Sequence, residues 1–131
     1  MRCLVNPAAD PAAVPAPSGE AAAFHVSLEG YEPTPLRELP ALASELGLAN
    51  VAMKDESNRL GLPAFKVLGA SWALERALGE RPEVHTAVAA SAGNHGRAVA
   101  HVAALRGLSA RVYLPARAAP AARAPTLRWS G

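Results

Sequence analysis

The chain has 131 residues, the size of one ordinary domain, so two large, separately cored lobes are not expected within it. Thirteen basic residues against eleven acidic ones give a net charge of +2, and half of the residues are hydrophobic. This composition excludes a disordered polyampholyte and gives little support to a nucleic-acid binder. Only two basic residues are lysines, Lys54 and Lys66, so chemistry that needs a primary amine side chain has two candidates.

The same sequence predicts a cytoplasmic protein with no membrane partner. Cys3 is the lone cysteine, which excludes an internal disulfide and fits a reducing compartment. The first 30 residues lack the apolar stretch of a secretory signal, and no segment approaches the ~18 consecutive apolar residues of a membrane span. No spacing of Cys and His suggests zinc, so we expect no metal.

The N-terminal third predicts little regular structure. Residues 1–23 are rich in Ala and Pro, which predicts a flexible leader before a folded part at 24–131. A weak turn region runs through Gly30 and residues 33–35. Apolar residues then recur with helical spacing and predict a helix that Gly47 ends: Leu39, Leu42, Ala43 and Leu46.

After this helix the chain alternates between strand and helix patterns. The predicted elements are a strand at 50–54, a helix at 67–78, a strand at 85–90, a helix at 95–106 and a strand at 110–114. The segment 91–109 is long enough for the crossover of a parallel strand pair. We therefore expect an α/β fold, with an open, mostly parallel sheet and helices on its faces. Ligands of such sheets bind beyond the carboxyl ends of the strands, where the loop 91–96 lies.

Two familiar kinds of site are absent from the sequence. The segment "GLPAFK" resembles a phosphate-binding P-loop only superficially, because Phe65 stands where a glycine must precede the lysine. His95 and His101 are six residues apart, which is not the spacing that places two zinc ligands on one helical face. A nucleotide-binding loop and a zinc hydrolase are therefore both disfavoured.

Two segments remain as carriers of chemistry. In "KDESNRLGLPAFKVLGASWA" a polar loop delivers Lys66 to an apolar helix, so this lysine is either a covalent catalyst or an exposed residue of a first helical turn. In "AVAASAGNHGRAVAHVAA" the loop around Gly93 and Asn94 precedes a helix whose free N–H groups suit a carboxylate or phosphate. The alternative for that loop is a simple connection between a strand and a helix.

Three motifs, in this order, carry a resemblance to a known family: "YEPTPLRELPALASELG", "KDESNRLGLPAFKVLGAS" and "SAGNHG". The stretch 24–131 resembles the N-terminal part of the fold type II pyridoxal-phosphate enzymes, the tryptophan synthase β-like family. Within that family, "FHVSLEGYEPTPL" and "LGLPAFKVLGAS" are most similar to the diaminopropionate ammonia-lyase group. The resemblance implies a lyase that uses pyridoxal 5'-phosphate and acts on a small amino acid.

The resemblance also implies roles for individual residues. Lys66 corresponds to the lysine that binds the cofactor through a Schiff base and then removes the α-proton of the substrate. Asn94 corresponds to the asparagine that hydrogen-bonds the ring hydroxyl oxygen of the cofactor. Ser91, Gly93 and His95 correspond to the loop that binds the substrate carboxylate, mostly through main-chain donors.

One position departs from the ammonia-lyase pattern. Members of that group have Asp-Gly-Asn-His-Gly, whereas this sequence has Ala92 in place of the aspartate. A methyl group can neither accept a proton nor pair with an ammonium group. The implied β-elimination yields a 2-oxo acid and ammonia, and a serine or threonine dehydratase-like activity is the alternative to a diaminopropionate ammonia-lyase.

The length is the second departure. Relatives of this kind have a second lobe and a glycine-rich loop that cradles the phosphate, and the sequence contains no such loop. Residues 117–131 resemble the next helix of the family, so we expect an N-terminal portion of an enzyme that is a homodimer when complete. The alternative of another class is a truncated, catalytically silent product.

The remaining polar residues are interpreted as structural. We expect Lys54 to be structural and Asp55 and Glu56 to form turn or interdomain contacts. Arg59 is expected to be a solvated loop arginine rather than an anion ligand. His101, on an apolar helix, is expected to be a packed histidine.

Overall fold

The computed structural model describes residue 10 and residues 18–118, and they form four helices and four strands. In chain order these are α1 (Glu20–Ser27), β1 (Leu36–Glu38), α2 (Pro40–Leu46), β2 (Ala52–Lys54), α3 (Lys66–Glu80), β3 (Thr86–Ala90), α4 (Asn94–Leu105) and β4 (Ser109–Tyr113). The predicted α/β class is confirmed by this order and by the structural comparisons given below.

The predicted parallel strand pair is present. β3 and β4 pair in parallel, with Thr86 opposite Ser109 and Ala90 opposite Tyr113. Helix α4 lies in the crossover between them and packs on both strands. The chain turns out of α4 at Gly107, whose φ of 67° is a left-handed conformation that favours glycine. The carboxyl end of β3 therefore leads directly into the loop that precedes α4.

The core is built from small side chains on α3 and α4. One buried cluster joins the two helices to the loop before α3; its members are Leu62, Val67, Ala70, Ala98 and Val102. On β3 the alternate residues Ala87 and Ala89 are buried, while Val88 on the other face is 62% exposed. Small residues let backbones approach closely, so α3, α4 and β3 form a tightly packed layer. The face of β3 that carries Val88 has no cover among the described residues.

The N-terminal elements differ from the sequence-based expectation. The predicted leader, 1–23, lies mostly outside the described residues, but its last four residues belong to α1. This helix is held by its side chains, because the Phe24 ring lies 5.4 Å from the Trp72 ring and His25 Nε2 donates to the Leu68 carbonyl at 2.8 Å. The predicted end of the leader, residue 23, therefore falls inside α1.

Strand β1 was not predicted at all. It has three residues and pairs antiparallel with β2, with Leu36 opposite Lys54. The helix predicted next is confirmed as α2, with Pro40 in its first turn and Gly47 closing it at a φ of 66°. In the described part of the chain, Ala43 is the one buried residue of the apolar stripe predicted for this helix. The predicted resemblance of 117–131 to a further helix lies almost entirely outside the described part of the chain.

Candidate active site

Lys66 is the first residue of α3, and its side chain is exposed. Its Nζ lies 4.8 Å from the centroid of the Phe65 ring, so the cation contacts an aromatic face. A tight turn lies four residues earlier: the Arg59 N–H donates to the Leu62 carbonyl at 2.8 Å, and the Leu62 N–H donates back at 3.0 Å. The lysine is thus accessible and stands directly after a well-defined backbone turn.

The loop 91–95 lies between the carboxyl end of β3 and the start of α4. The Ser91 N–H donates to the Tyr113 carbonyl at 3.0 Å, which continues the hydrogen bonds of the parallel pair. The Ser91 hydroxyl accepts the Gly93 N–H at 3.2 Å. Asn94 and His95 are the first two residues of α4, and both are exposed. The first N–H groups of a helix have no partner within it, so this end can bind an anion.

Gly96 explains why the loop lies so close to the sheet. A Cβ atom at this position would lie 2.8 Å from the Ser91 carbonyl oxygen and 2.8 Å from Val112 Cγ1. Both distances are well below normal van der Waals contact. This glycine falls within the loop 91–96 of the sequence prediction, and the structure shows that α4 packs against the loop and β4 through it. A glycine in the first turn lowers the stability of a helix, so its presence there is the sequence signal for such a close contact.

One buried cluster holds both candidate segments. Val67, which follows Lys66, and Ala98, one turn after Asn94, belong to that cluster. The beginnings of α3 and α4 are therefore fixed to the same core. In the described part of the chain no hydrogen bond joins the Lys66 amine to the loop 91–95.

Arg59 corrects one sequence-based expectation, because it is buried and not a solvated loop arginine. Its side chain is only 6% exposed and binds the Glu56 carboxylate with two prongs, Nε to Oε2 at 2.9 Å and Nη2 to Oε1 at 2.7 Å. Its remaining nitrogen contacts are with the Glu32 carbonyl and the Thr34 hydroxyl, both at 2.8 Å. The Tyr31 ring lies 5.4 Å from the guanidinium carbon. These partners lie 25 or more residues earlier in the chain, beyond the reach of any local sequence pattern.

The two neighbouring carboxylates are stabilised in their charged forms. The hydrogen bond from Arg59, helped by one from Thr34, lowers the pKa of Glu56 from 4.5 to about 2. Hydrogen bonds from the Ser57 hydroxyl and from Arg37 lower the pKa of Asp55 from 3.8 to about 2. The Arg37 side chain is 57% exposed, whereas the Arg59 side chain is only 6% exposed. The expected turn contacts of Asp55 and Glu56 are thus observed within the chain.

His101 on α4 is buried, which agrees with the expected packed histidine. Burial lowers its pKa, and a hydrogen bond to the backbone of Leu60 partly opposes that effect. Leu60 has a φ of 50°, which is unusual for a residue with a branched side chain, and Gly61 follows at 78°. The histidine therefore links α4 to the turn before Lys66.

This arrangement suits carbonyl and carboxylate chemistry. An accessible primary amine can react with an aldehyde, and a helix start with exposed N–H groups can hold a carboxylate. Pyridoxal phosphate reacts through an aldehyde and an amino acid carries a carboxylate, so the residues present fit these two groups. Among residues 18–118 there is no cluster of three potential metal ligands, and none of the described helices is long and apolar enough to cross a membrane.

Comparison with known proteins agrees with this chemistry. The family model described as pyridoxal-phosphate dependent enzyme matches residues 28–129. The diaminopropionate ammonia-lyase of Salmonella typhimurium is 38% identical over 133 residues, which cover 86% of this chain and 33% of that protein. The biosynthetic L-threonine dehydratase of Escherichia coli is 34% identical over 87 residues, covering 66% of this chain and 16% of that protein. The chain thus spans about a third or less of these relatives.

Solved structures of similar proteins also include pyridoxal-phosphate-dependent enzymes. The apo form of Escherichia coli diaminopropionate ammonia lyase superposes with a TM-score of 0.78 at 38% identity, over 83% of this chain and 33% of that one. A pyridoxal 5'-phosphate-dependent aspartate racemase superposes with a TM-score of 0.74 at 25% identity, over 84% of this chain and 34% of that one. With the family model matching well over half of its length, the chain belongs to the pyridoxal-phosphate-dependent enzymes.

Proposed function

We propose that the protein is a pyridoxal-phosphate-dependent lyase that eliminates a β-substituent from a small amino acid, giving a 2-oxo acid and ammonia. The observation that carries the proposal is the joint fixation of two features by one core: an accessible lysine at the start of α3, and an anion-binding loop at the start of α4. The similarity to diaminopropionate ammonia-lyases supports the same reaction class.

Lys66 has the central role in this proposal. Its amine would hold the cofactor covalently and, once freed by the substrate amine, would accept the proton from the substrate Cα. When bound, pyridoxal phosphate supplies an electron-withdrawing ring that stabilises the negative charge left on Cα. The electron pair of the broken C–H bond expels the β-substituent, and water converts the released unsaturated amine to a 2-oxo acid and ammonia.

The loop before α4 orients the reactants. Asn94 would hold the ring hydroxyl oxygen of the cofactor with its side-chain amide. Ser91, Gly93 and His95 would bind the substrate carboxylate, chiefly through main-chain N–H groups whose charge preference the helix dipole reinforces. The hydrogen bond between the Ser91 hydroxyl and the Gly93 N–H fixes the conformation of the loop. The Ser91 and Gly93 N–H groups are both hydrogen-bonded within the chain, so their donation to a carboxylate requires these two bonds to exchange.

The first test is spectroscopic. Pyridoxal phosphate added to the purified protein should give a near-visible absorbance band, because the cofactor aldehyde condenses with a lysine amine. Lys66→Ala should abolish the band, and Lys54→Ala, which removes the only other lysine side chain, should keep it. A band that persists in Lys66→Ala, or is absent from the wild type, contradicts the assignment of Lys66.

The second test addresses the substrate. The protein is offered 2,3-diaminopropionate, serine and threonine, and the 2-oxo acid formed is measured. We expect a 2-oxo acid from at least one of them, and failure with all three would refute the lyase. A faster reaction with serine or threonine than with 2,3-diaminopropionate would support the dehydratase-like alternative. Ala92 and the similarity to the threonine dehydratase both favour that alternative.

Position 92 offers a matched pair of variants. Ala92→Asp restores a carboxylate that can exchange a proton with the second amine of diaminopropionate, so turnover of that substrate should rise. Ala92→Asn has nearly the same size but no charge, and it should leave turnover unchanged. An equal response to both variants would contradict the role assigned to this position.

A further inference from the structure

Arg59 lies at the centre of a buried polar cluster whose function the lyase chemistry leaves unexplained. Its guanidinium makes four hydrogen bonds of 2.7–2.9 Å, to Glu56, to the Glu32 carbonyl and to Thr34. A buried, two-pronged pair between an arginine and a carboxylate has a strongly directional geometry. The cluster therefore fixes the backbone of residue 59 relative to the segment 31–34.

The backbone of Arg59 in turn defines the segment that leads to the lysine. Arg59 and Leu62 exchange two main-chain hydrogen bonds across Leu60 and Gly61, which both have positive φ. Leu62 is buried in the same cluster as Val67, the neighbour of Lys66. Only three residues separate Leu62 from Lys66, so there is little slack between the turn and the lysine.

Leu60 shows that this turn is held against its local preference. A left-handed conformation is unfavourable for a leucine and persists only where neighbouring contacts impose it. The contacts available are the Arg59 cluster on one side and the hydrogen bond between His101 and the Leu60 backbone on the other. The strained turn thus depends on groups at both of its ends.

We propose that Arg59 is a positioning residue for Lys66, acting through Glu56 and through the turn 59–62. This inference rests on the proposed function of Lys66 as the cofactor-binding lysine. Arg59 acts through the backbone of the turn, which leads within four residues of Leu62 to Lys66 at the start of α3.

The structure supplies a matched control within the same segment. Asp55 pairs with Arg37 at 2.7 Å, the same distance as the shorter prong between Arg59 and Glu56. Arg37 is largely exposed, and its hydrogen bond goes to Asp55 rather than to the turn 59–62. Exposed ion pairs contribute little to the stability of a protein. Arg37→Lys therefore tests the loss of an arginine next to this segment without loss of the buried cluster.

The experiment measures where and how fast the cofactor binds. Pyridoxal phosphate is added to the full chain, the adduct is fixed with borohydride, and the rates at Lys66 and Lys54 are read separately by peptide mass spectrometry. Arg59→Lys keeps the charge but cannot reproduce the two-pronged contact, and we expect the Lys66 rate to fall roughly tenfold. Arg37→Lys should leave the Lys66 rate unchanged.

A second variant and a rescue separate positioning from loss of the fold. Circular dichroism and a urea transition establish that each variant is folded. Glu56→Gln keeps the shape of the partner but removes its charge, and it should lower the Lys66 rate in the folded protein. In Arg59→Ala, added methylguanidinium should restore part of the rate, because it can occupy the space of the lost guanidinium; no restoration counts against the inference.

The failures of the two proposals are distinguishable. If Lys66 in the wild type reacts no faster than a lysine in a short unstructured peptide, the proposed function fails. If Lys66 reacts faster in the wild type and equally fast in folded Arg59→Lys or Glu56→Gln, the cofactor-binding lysine stands and the positioning role of Arg59 is overturned. A fall in Arg37→Lys as large as that in Arg59→Lys also overturns it.

Discussion

Replacement of Gly96 by alanine tests how the loop of the candidate active site is held. The added methyl group would lie 2.8 Å from both the Ser91 carbonyl oxygen and Val112 Cγ1, and 3.2 Å from Ser91 Cβ. The backbone oxygen belongs to a residue whose N–H is hydrogen-bonded to β4, so it cannot move without disturbing the strand pair. The loop or the start of α4 must therefore shift by several tenths of an ångström.

The magnitude follows from two opposing effects. Overpacking of this kind costs about 1–3 kcal/mol of the free energy of unfolding. Alanine in place of glycine within a helix recovers up to about 1 kcal/mol. The net expectation for Gly96→Ala is a loss of up to about 2 kcal/mol. Each kcal/mol lowers the melting temperature of a domain of this size by about 4 °C.

Gly69 provides the control, since it lies within α3 and a Cβ there would meet nothing within 4 Å. Gly69→Ala should therefore raise the stability by about 0.5–1 kcal/mol, because only the helix preference changes. Urea and thermal denaturation followed by circular dichroism measure both variants. If Gly96→Ala is as stable as Gly69→Ala, the close approach between α4 and the loop is not what requires glycine at position 96.

Three further predictions concern charge. The pKa of Glu56 is lowered from 4.5 to about 2, so the stability that its charged form contributes is complete above pH ~4.5 and is lost as the pH falls toward 2. In Glu56→Gln the urea concentration at the unfolding midpoint should depend less on pH over that range. Burial lowers the pKa of His101 below its usual 6.5, so stability should fall as the pH decreases through 6.5, and His101→Leu should remove that step in the same titration. Arg106 and Glu75 form an exposed ion pair, so a double-mutant cycle of their alanine variants should give a coupling of only about 0.2–1 kcal/mol.

The sequence predicted the C-terminal half of the fold well because its signals are local. Periodic apolar residues mark α3 and α4, and Gly47 and Gly107 end helices in the left-handed conformation that only glycine adopts readily. The parallel pair of β3 and β4 followed from the length of the crossover between them. The placement of Lys66 at a helix start and of the loop 91–95 after a strand was available from the same patterns.

The missed features all depend on contacts that are distant along the chain. β1 has three residues and is defined by its pairing with β2, not by any pattern of its own. α1 continues the Ala-rich composition of the leader and is distinguished only by the contacts of Phe24 and His25 with α3. The burial of Arg59 has no local signal because two of its partners, Glu32 and Thr34, belong to a different segment.

Contacts within the loop before α4 determine which of its residues can be substituted without moving the loop. Gly96 is confined by backbone and side-chain atoms on two sides, and the Ser91 hydroxyl accepts the Gly93 N–H, so a substitution at either position disturbs the loop. Ala92 lies between them, is exposed and does not belong to the buried cluster. A substitution at this position is therefore expected to cost little stability. If the proposed lyase activity holds, the Ala92→Asp and Ala92→Asn pair tests whether this position affects the choice of substrate.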